Sequence, residues 1–222
     1  MLTAPLGTVR GNGTFVARLE RAVRHFRMQA THNLLDEVLT SLPAPAALRD
    51  VVDPLMGRLE QAGDPGAVRF AESFIEVRLL AHARGWETIE GPRATLACAP
   101  REDGVLALIC LGLGLADHRC RIAYLGGATP VSVLRAAARE QRSDAVLLRA
   151  TSADLTPREL LGLRLLARDQ PLLVSGDAST TLARAVGAIE LPDDPSAAVQ
   201  ESARILRRRS SRARGDGSPG QG

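Results

Sequence analysis

Five short apolar segments alternate with helical patterns in the C-terminal part of the chain, and this alternation constrains the fold more than any other feature. The apolar segments, which we predict to be strands, are Ala94–Ala99, Arg121–Leu125, Ala145–Ala150, Pro171–Ser175 and Ala188–Leu191. Helices are predicted near Asp103–Ala116, Val131–Gln141, Pro157–Arg168, Thr180–Val186 and Pro195–Arg208. Continuous apolar strands separated by helices are typical of a parallel sheet covered on both faces. We therefore predict an α/β domain with a five-stranded parallel sheet of the flavodoxin or Rossmann-like type.

The sequence before this alternation has helical periodicity instead. Apolar residues recur at helical spacing after Thr14, a candidate N-cap, and this first run ends at Pro43. A second helix is predicted at Ala46–Gln61, where Pro54 either kinks the helix or divides it in two. A third helix follows the Gly-Asp-Pro-Gly turn at 63–66. These segments indicate an N-terminal bundle of three or four helices.

The changes of pattern divide the chain into four parts. We predict an N-terminal tail at 1–13, the helical bundle at 14–88, the α/β domain at 89–208 and a disordered basic tail at 209–222. The last 20 residues contain six arginines and one aspartate, so the rest of the chain is slightly acidic although the net charge is +3. The basic tail could touch phosphates, but a solvated terminus is the favoured interpretation, and direct DNA binding is doubtful.

Composition excludes several classes of protein. All 28 basic residues are arginine, which excludes a Schiff-base lysine or a Walker-type phosphate lysine. The low aromatic content of 3% leaves little surface for stacking nucleic-acid bases. Cys98, Cys110 and Cys120 are scattered in apolar segments, as expected for buried free thiols in a reducing compartment. With neither a signal-peptide pattern nor the roughly 18 apolar residues needed to cross a bilayer, we expect a cytoplasmic protein without membrane contact.

The loops after the strands carry the candidate site, because ligands in open α/β sheets bind outside the carboxyl ends of the strands. Paired glycines follow the second strand, Thr129 is a candidate N-cap, and Pro130 is expected in the first helical turn. Asp103 is a candidate cap for the helix after the first strand. The predicted cleft is lined by Gly104, Gly126, Gly127, Thr129, Arg149, Ser175 and Gly176.

Catalytic and metal-binding patterns are missing from these loops. The four histidines have no mutual metal spacing, and none falls in a strand-end loop. No serine combines a nucleophile elbow with a placed base. The glycine pair at Gly112 and Gly114 lies inside a predicted helix and is better explained by close packing than by a dinucleotide site. We therefore expect a protein that is not an enzyme.

A helical bundle followed by this α/β half resembles the cobalamin-binding region of MerR-type light-sensing repressors and, more distantly, the corrinoid modules of methionine synthase and methyltransferases. The resemblance spans roughly Thr14 to Arg208. It is closest over Arg121–Ala150, where Tyr-Leu-Gly-x-x-Thr-Pro and the following Leu-Arg-Ala-Ala-Ala-Arg match the family's second strand and helix. The resemblance implies a sensory fold that binds cobalamin or another tetrapyrrole.

The chain departs from that family at its binding motifs. The family's acidic-x-His-x-x-Gly motif would place its acidic residue at Glu102 and its cobalt-ligating histidine at Gly104. Its serine after the third strand would fall at Arg149, and its double glycine at Ser175-Gly176. The resemblance therefore implies binding without histidine ligation, or no ligand, and Arg149 if buried would need an anionic partner.

The family's helical bundle and its DNA-binding domain supply two further comparisons. In the family's helical bundle, a tryptophan and a Glu-His pair form the upper face of the light sensor. Glu72 matches the glutamate, Ser73 replaces the histidine, and the tryptophan would fall near Ala62. Only about a dozen residues precede the first predicted helix, so the repressors' winged-helix domain has no counterpart in this sequence. The expected partner is accordingly a protein that regulates transcription, and a homo-oligomer is also possible.

Three functional hypotheses follow. The first is a sensory or regulatory module with a degenerate corrinoid site, which acts on transcription through a partner. The second is a protein-interaction module that kept the fold and lost the ligand, and it predicts a cleft filled by the protein's own side chains, particularly Arg149. The third is a corrinoid carrier for methyl transfer, which the glycine at position 104 disfavours because glycine cannot ligate cobalt.

Overall fold

The computed structural model describes the backbone of residues 8–215 and the side chains of residues 13–211, in which a helical unit ends at His82 and an α/β unit begins at Ala83. The predicted boundary at 88/89 is therefore six residues too late. The difference has a packing reason, because Trp86 contacts the ring of Tyr124 in the α/β unit at a centroid distance of 5.8 Å. The two units are described separately below.

The helical unit is a bundle whose apolar faces share one core. Its helices are α1 (Thr8–Arg24), α2 (Met28–Ser41), α3 (Ala44–Ala47), α4 (Asp53–Gln61) and α5 (Pro65–His82), with a π-helical turn at Leu48–Val52. Leu19, Leu35, Val51, Leu55, Leu59, Ile75 and Leu79 are almost completely buried. The predicted helical bundle is confirmed.

The first helix differs from the prediction at both ends. It begins at Thr8, so Thr14 lies inside α1 and the part of the predicted tail at 8–13 is helical, whereas residues 1–7 lie outside the described residues. The helix crosses Gly11 and Gly13, whose low propensity favoured a later start; tertiary context overrides such preferences. The long run predicted to end at Pro43 is broken at Phe26, which has a φ of 49°. The Phe26 and Arg27 amides donate to the carbonyls of Val23 and Ala22, a Schellman ending that usually needs glycine.

Pro54 neither kinks the second helix sharply nor separates it into two helices joined by a loop. Instead the helical path runs from Ala44 to Gln61 through the π-helical turn that directly precedes α4. Proline lacks an N–H donor and its ring clashes with the preceding turn, and widening that turn removes both problems.

The α/β unit contains the five predicted parallel strands, which confirms the predicted fold class. The strands are β1 (Arg93–Cys98), β2 (Arg121–Gly126), β3 (Ala145–Arg149), β4 (Leu172–Ser175) and β5 (Ile189–Glu190). Their order in the sheet is β2-β1-β3-β4-β5, and every neighbouring pair is parallel. The helices are α6 (Leu106–Asp117), α7 (Val131–Glu140), α8 (Pro157–Asp169), α9 (Ser179–Val186) and α10 (Pro195–Gly215), with a short 3-10 turn at Trp86–Thr88.

Three further details of the α/β unit concern the two ends of α10 and a glycine in α6. Asp194 caps α10 through the Ala197 amide at 2.8 Å, as expected for an aspartate before that helix. The prediction of disorder from Arg209 is wrong up to Gly215, because α10 continues to that residue; residues 216–222 lie outside the described part. Alanine and arginine favour helix even without an apolar face. Gly112 lies within α6, where a Cβ atom would be 2.6 Å from the Trp86 ring.

None of the helices described between Thr8 and Gly215 combines the length and the apolar character needed to cross a membrane. Cys98, Cys110 and Cys120 are buried and form no disulfide within the described residues, as predicted.

Candidate ligand site

The strand order places a topological switch between β1 and β3, which are neighbours at the centre of the sheet. From β1 the order continues to β2 on one side, and from β3 to β4 on the other. In sheets of this order, ligands bind at the carboxyl ends of the strands where the order reverses. The loops after β1 and β3 therefore define the candidate site.

Glu102, in the loop after β1, is held by the backbone of the loop after β3. The Thr151 amide donates to both carboxylate oxygens at 2.8 Å, and the Ser152 amide donates to Oε1 at 3.0 Å. These charge-assisted bonds satisfy the carboxylate within the protein and tie the two loops together. Glu102 was predicted as a cofactor-binding residue, and the structure gives it a role in holding the edge of the sheet.

Gly104 and Arg149 face each other across the same crevice. The Arg149 Nε donates to the Gly104 carbonyl at 3.3 Å, and the Cys98 thiol approaches the same oxygen at 3.7 Å. A Cβ atom on Gly104 would have nothing within 4 Å, so this position has room for a side chain. Arg149 is partly exposed, which corrects the premise that it is buried. Its guanidinium needs no internal counter-ion because the β3 end lies at the surface.

The glycine loop after β2 packs on the loop after β1. The Ala128 amide donates to the Glu102 carbonyl at 2.7 Å, and a Cβ atom on Gly127 would lie 3.1 Å from that oxygen. Gly126 has a φ of 86°, which favours glycine. The paired glycines therefore serve a tight turn and a close approach of two loops.

Two predicted helix caps at this edge are wrong. The Thr129 hydroxyl donates to the Gly126 carbonyl at 3.2 Å, and Pro130 takes the N-cap position of α7 rather than the first helical position. Asp103 does not cap α6, which begins three residues later with Val105 at its N-cap. α6 therefore starts three residues later than predicted, whereas α7 starts at Val131 as predicted.

Ser175 and Gly176 complete the edge at the end of β4. The Ala150 amide donates to the Ser175 carbonyl at 2.8 Å, which continues the pairing of β3 with β4. Gly176 has a φ of 97°, and a Cβ atom there would lie 2.5 Å from the Ala150 carbonyl and 3.2 Å from Nη1 of Arg149. The Arg149 side chain therefore runs between the loops that contain Gly104 and Gly176.

Charges at this edge have both signs. Burial raises the pKa of the Cys98 thiol to about 11, with Arg149 lowering it and Glu102 and Asp103 raising it. The thiol is therefore protonated near neutral pH and is a poor nucleophile or metal ligand. Arg149 has unused donors, because only its Nε has a hydrogen bond among the described residues.

Eight of the nine predicted site residues thus lie in the loops at the carboxyl edge of the α/β unit: Glu102, Gly104, Gly126, Gly127, Thr129, Arg149, Ser175 and Gly176. Glu72, the ninth, is on α5 in the helical unit and pairs with Arg69 at 3.6 Å. The sequence did not predict that the backbone amides of Thr151 and Ser152 bind Glu102, because a backbone amide does not depend on residue type. The Thr-x-x-Glu capping box at Thr156 and Glu159 was also missed, although its spacing could have predicted the start of α8.

The residues at this edge test the fit of a corrinoid cofactor. In the described part of the chain, no cluster of histidine, cysteine and carboxylate side chains could hold a metal ion. Gly104 offers only a carbonyl, Glu102 is occupied by backbone amides, and Cys98 is protonated. A corrinoid held by a protein imidazole does not fit these residues. An anionic group fits the free end of Arg149.

Comparison with solved structures finds proteins of similar fold. The monomethylamine corrinoid protein of Methanosarcina barkeri matches with a TM-score of 0.67 and 14% identity, covering 88% of this chain and all of that one. A cobalamin-binding protein from Desulfitobacterium hafniense gives a TM-score of 0.44 at 16% identity, covering 86% and 98% of the two chains. No family model and no curated protein matches the sequence.

The first of these likenesses covers both the N-terminal helices and the five-stranded parallel sheet. The chain therefore shares its helical and α/β architecture with that protein. At 14% identity the likeness concerns the fold, so the ligand of this chain has to be argued from its own residues.

Proposed function

We propose that this protein is a non-enzymatic regulatory module whose α/β unit binds an anionic small molecule at the carboxyl edge of the sheet. The observation that carries the proposal is Arg149. Its side chain lies at the topological switch, is partly exposed, and uses only Nε within the described residues. The two terminal nitrogens remain available for a carboxylate or phosphate, which arginine binds in a fork geometry.

A corrinoid bound with its own base is the first ligand to test, followed by other tetrapyrroles with carboxylate groups. The fold likeness to a corrinoid protein supports this choice. The phosphate of a base-on corrinoid would meet the charge of Arg149, and no protein imidazole is required. Histidine-dependent methyl transfer, by contrast, has no support at Gly104, so a carrier function is the weaker proposal.

The regulated process that we propose is transcription, through a partner protein. Support comes from the resemblance to the cobalamin-binding region of MerR-type light-sensing repressors over the Tyr124–Pro130 loop and the helix that follows it. The edge residues supply no group placed for acid-base or nucleophilic chemistry, which agrees with a binding role.

A second candidate function is an interaction module that has lost its ligand. The specific observation in its favour is that the crevice is partly filled by the protein itself. Glu102 is satisfied by two backbone amides, and Arg149 reaches across to the Gly104 carbonyl. In this alternative Arg149 joins the loops and binds nothing else.

Calorimetry and visible absorbance separate these candidates. The purified protein is titrated with hydroxocobalamin, methylcobalamin and adenosylcobalamin, and then with a carboxylate-bearing porphyrin. We expect one of them to bind, and Arg149→Gln to weaken it at least about tenfold, because one charge-assisted contact of about 1.5–3 kcal/mol is lost. Arg184→Gln, in the last turn of α9, is the matched control with the same loss of charge. If none of the four ligands gives heat of binding or a change in its visible absorbance, the ligand-free module is favoured.

A further inference from the structure

A groove between α7 and α8 lies outside the candidate ligand site and has both apolar and basic walls. Its volume is about 490 Å³, and its lining includes Val131, Arg135, Arg158, Leu161 and Gly162. A Cβ atom on Gly162 would lie 2.7 Å from Cγ1 of Val131, so the glycine lets the two helices approach closely at the floor. Leu161 is 56% exposed, so its side chain is available for contact with another molecule.

The charge of this groove is positive because its acidic member is already paired. Glu159 also lines the groove, but its carboxylate binds the Arg101 guanidinium through two hydrogen bonds of 3.0 and 3.2 Å. Arg135 is half-buried and Arg158 is exposed, and neither has a hydrogen bond or ion pair with any described residue. Two free guanidinium groups therefore flank an exposed leucine and a narrow apolar floor.

We propose that this α7–α8 groove is the docking surface for an acidic, amphipathic segment of the partner protein. An apolar side chain of that segment would pack against Val131 and Leu161, and its carboxylates would pair with Arg135 and Arg158. Charge complementarity selects this occupant, because a basic segment would be repelled and an uncharged one would leave both guanidinium groups unpaired. The inference rests on the proposed function in that a regulatory module needs a partner, and it assigns the surface that the partner contacts.

The experiment uses the full chain and a defined probe. A fluorescein-labelled peptide of about twelve residues, which repeats Glu-Glu-Leu-Leu, is titrated with the protein and followed by anisotropy. We expect saturable binding that weakens as salt increases, because surface charges contribute to it. A peptide that repeats Lys-Lys-Leu-Leu should not bind. Hydrogen exchange with the acidic peptide present should slow at α7 and α8.

The decisive variant is R135E/R158E, which reverses both free charges of the groove. We expect the acidic peptide to bind at least about tenfold more weakly, because attraction becomes repulsion at both positions. The matched control is R139E/R168E, which makes the same change of net charge on the same two helices with side chains that do not line the groove. Its affinity should change less than about twofold. Circular dichroism checks that both variants remain folded.

Four outcomes would overturn the proposal. They are failure of the acidic peptide to bind, equal weakening in both double variants, competition by inorganic phosphate at constant ionic strength, and self-association that R135E/R158E abolishes in sedimentation velocity. The last two would assign the groove to a small anion or to a second copy of the chain. Ligand titrations on the same variants test the proposed function independently. If the peptide fails to bind while the Arg149 site still binds its ligand, only the proposal for the α7–α8 groove is wrong.

Discussion

Gly104 lies at the carboxyl edge of the sheet at a position with room for a side chain. It is exposed, it has no positive φ, and a Cβ atom there would meet nothing within 4 Å. We expect Gly104→His to fold and to raise the affinity for hydroxocobalamin at least about tenfold, because the variant supplies an imidazole donor. The Arg149 charge nearby should keep that imidazole neutral, the form that binds metals.

The measurement is the electron paramagnetic resonance of the Co(II) form, with the histidines of the protein labelled with ¹⁵N. Coupling to ¹⁵N in the variant would identify a protein nitrogen on cobalt. Gly104→Gln is the steric control and should leave the affinity within about threefold of the original chain. Equal affinity for all three proteins would mean that an imidazole at position 104 does not reach the cobalt.

Gly176 has a backbone conformation that a residue with a Cβ atom adopts only with strain. An added Cβ atom would lie 2.5 Å from the Ala150 carbonyl, and its φ is 97°. We expect Gly176→Ala to lower the free energy of unfolding by about 2–4 kcal/mol, which combines left-handed strain with a steric overlap. Gly187, with a φ of 73° and open space, is the matched control, and its change to alanine should cost about 1 kcal/mol. Urea denaturation measures both values, and equal losses would contradict the steric argument.

At the scale of elements, the sequence predicted the strands and helices that continuous apolar patterns mark. It did not predict features that depend on contacts between residues distant in sequence. The apolar runs located all five strands, and the reason is clearest for β1, β3 and β4, which are largely buried along their length. The break at Phe26 was missed because no glycine or proline marks it. In the site, strand ends located Arg149 correctly, but the role of Glu102 depends on amides 49 and 50 residues away. Such a partnership has no local signature.

The start of α8 gives a test with a defined pH dependence. The hydrogen bond from Arg101 and that from the Thr156 amide lower the pKa of Glu159 to about 2. A carboxyl group whose pKa is lower in the folded than in the unfolded protein stabilises the native state at pH values above the unfolded pKa, which is near 4.5. This stabilisation is lost as the pH falls towards 2. We expect the carboxyl carbon of Glu159 to titrate with a midpoint near 2 by NMR.

The matched variants remove one partner at a time. Arg101→Met should raise the Glu159 midpoint towards 4.5, because the first of its hydrogen-bond donors is lost. Glu159→Gln should remove part of the loss of stability between pH 5 and 2, measured by urea denaturation at several pH values. A Glu159 midpoint that stays near 2 in the Arg101 variant would assign the effect to the capping box alone.

At the scale of the α/β unit as a whole, one chain of contacts joins the candidate ligand site to the α7–α8 groove. Glu102 holds the amides of Thr151 and Ser152 at the crevice. The adjacent Arg101, with a φ of 69°, binds Glu159 and the Asp154 carbonyl. Glu159 lines the groove. A ligand that moves the loop after β1 would therefore act on the position of α8.

This connection predicts reciprocal coupling. We expect a ligand bound at Arg149 to change the affinity of the acidic peptide by about 5- to 100-fold, and the peptide to change ligand affinity by the same factor, as linkage requires. Arg101→Met should reduce the coupling to less than about twofold. The ligand at Arg149 should still bind, whereas the acidic peptide alone should bind more weakly, because Glu159 in the groove loses its arginine partner. Calorimetric titration of each ligand with and without the other measures the factor. Coupling that survives in Arg101→Met would have to travel by another path, through the packing of the Tyr124–Pro130 loop on Glu102.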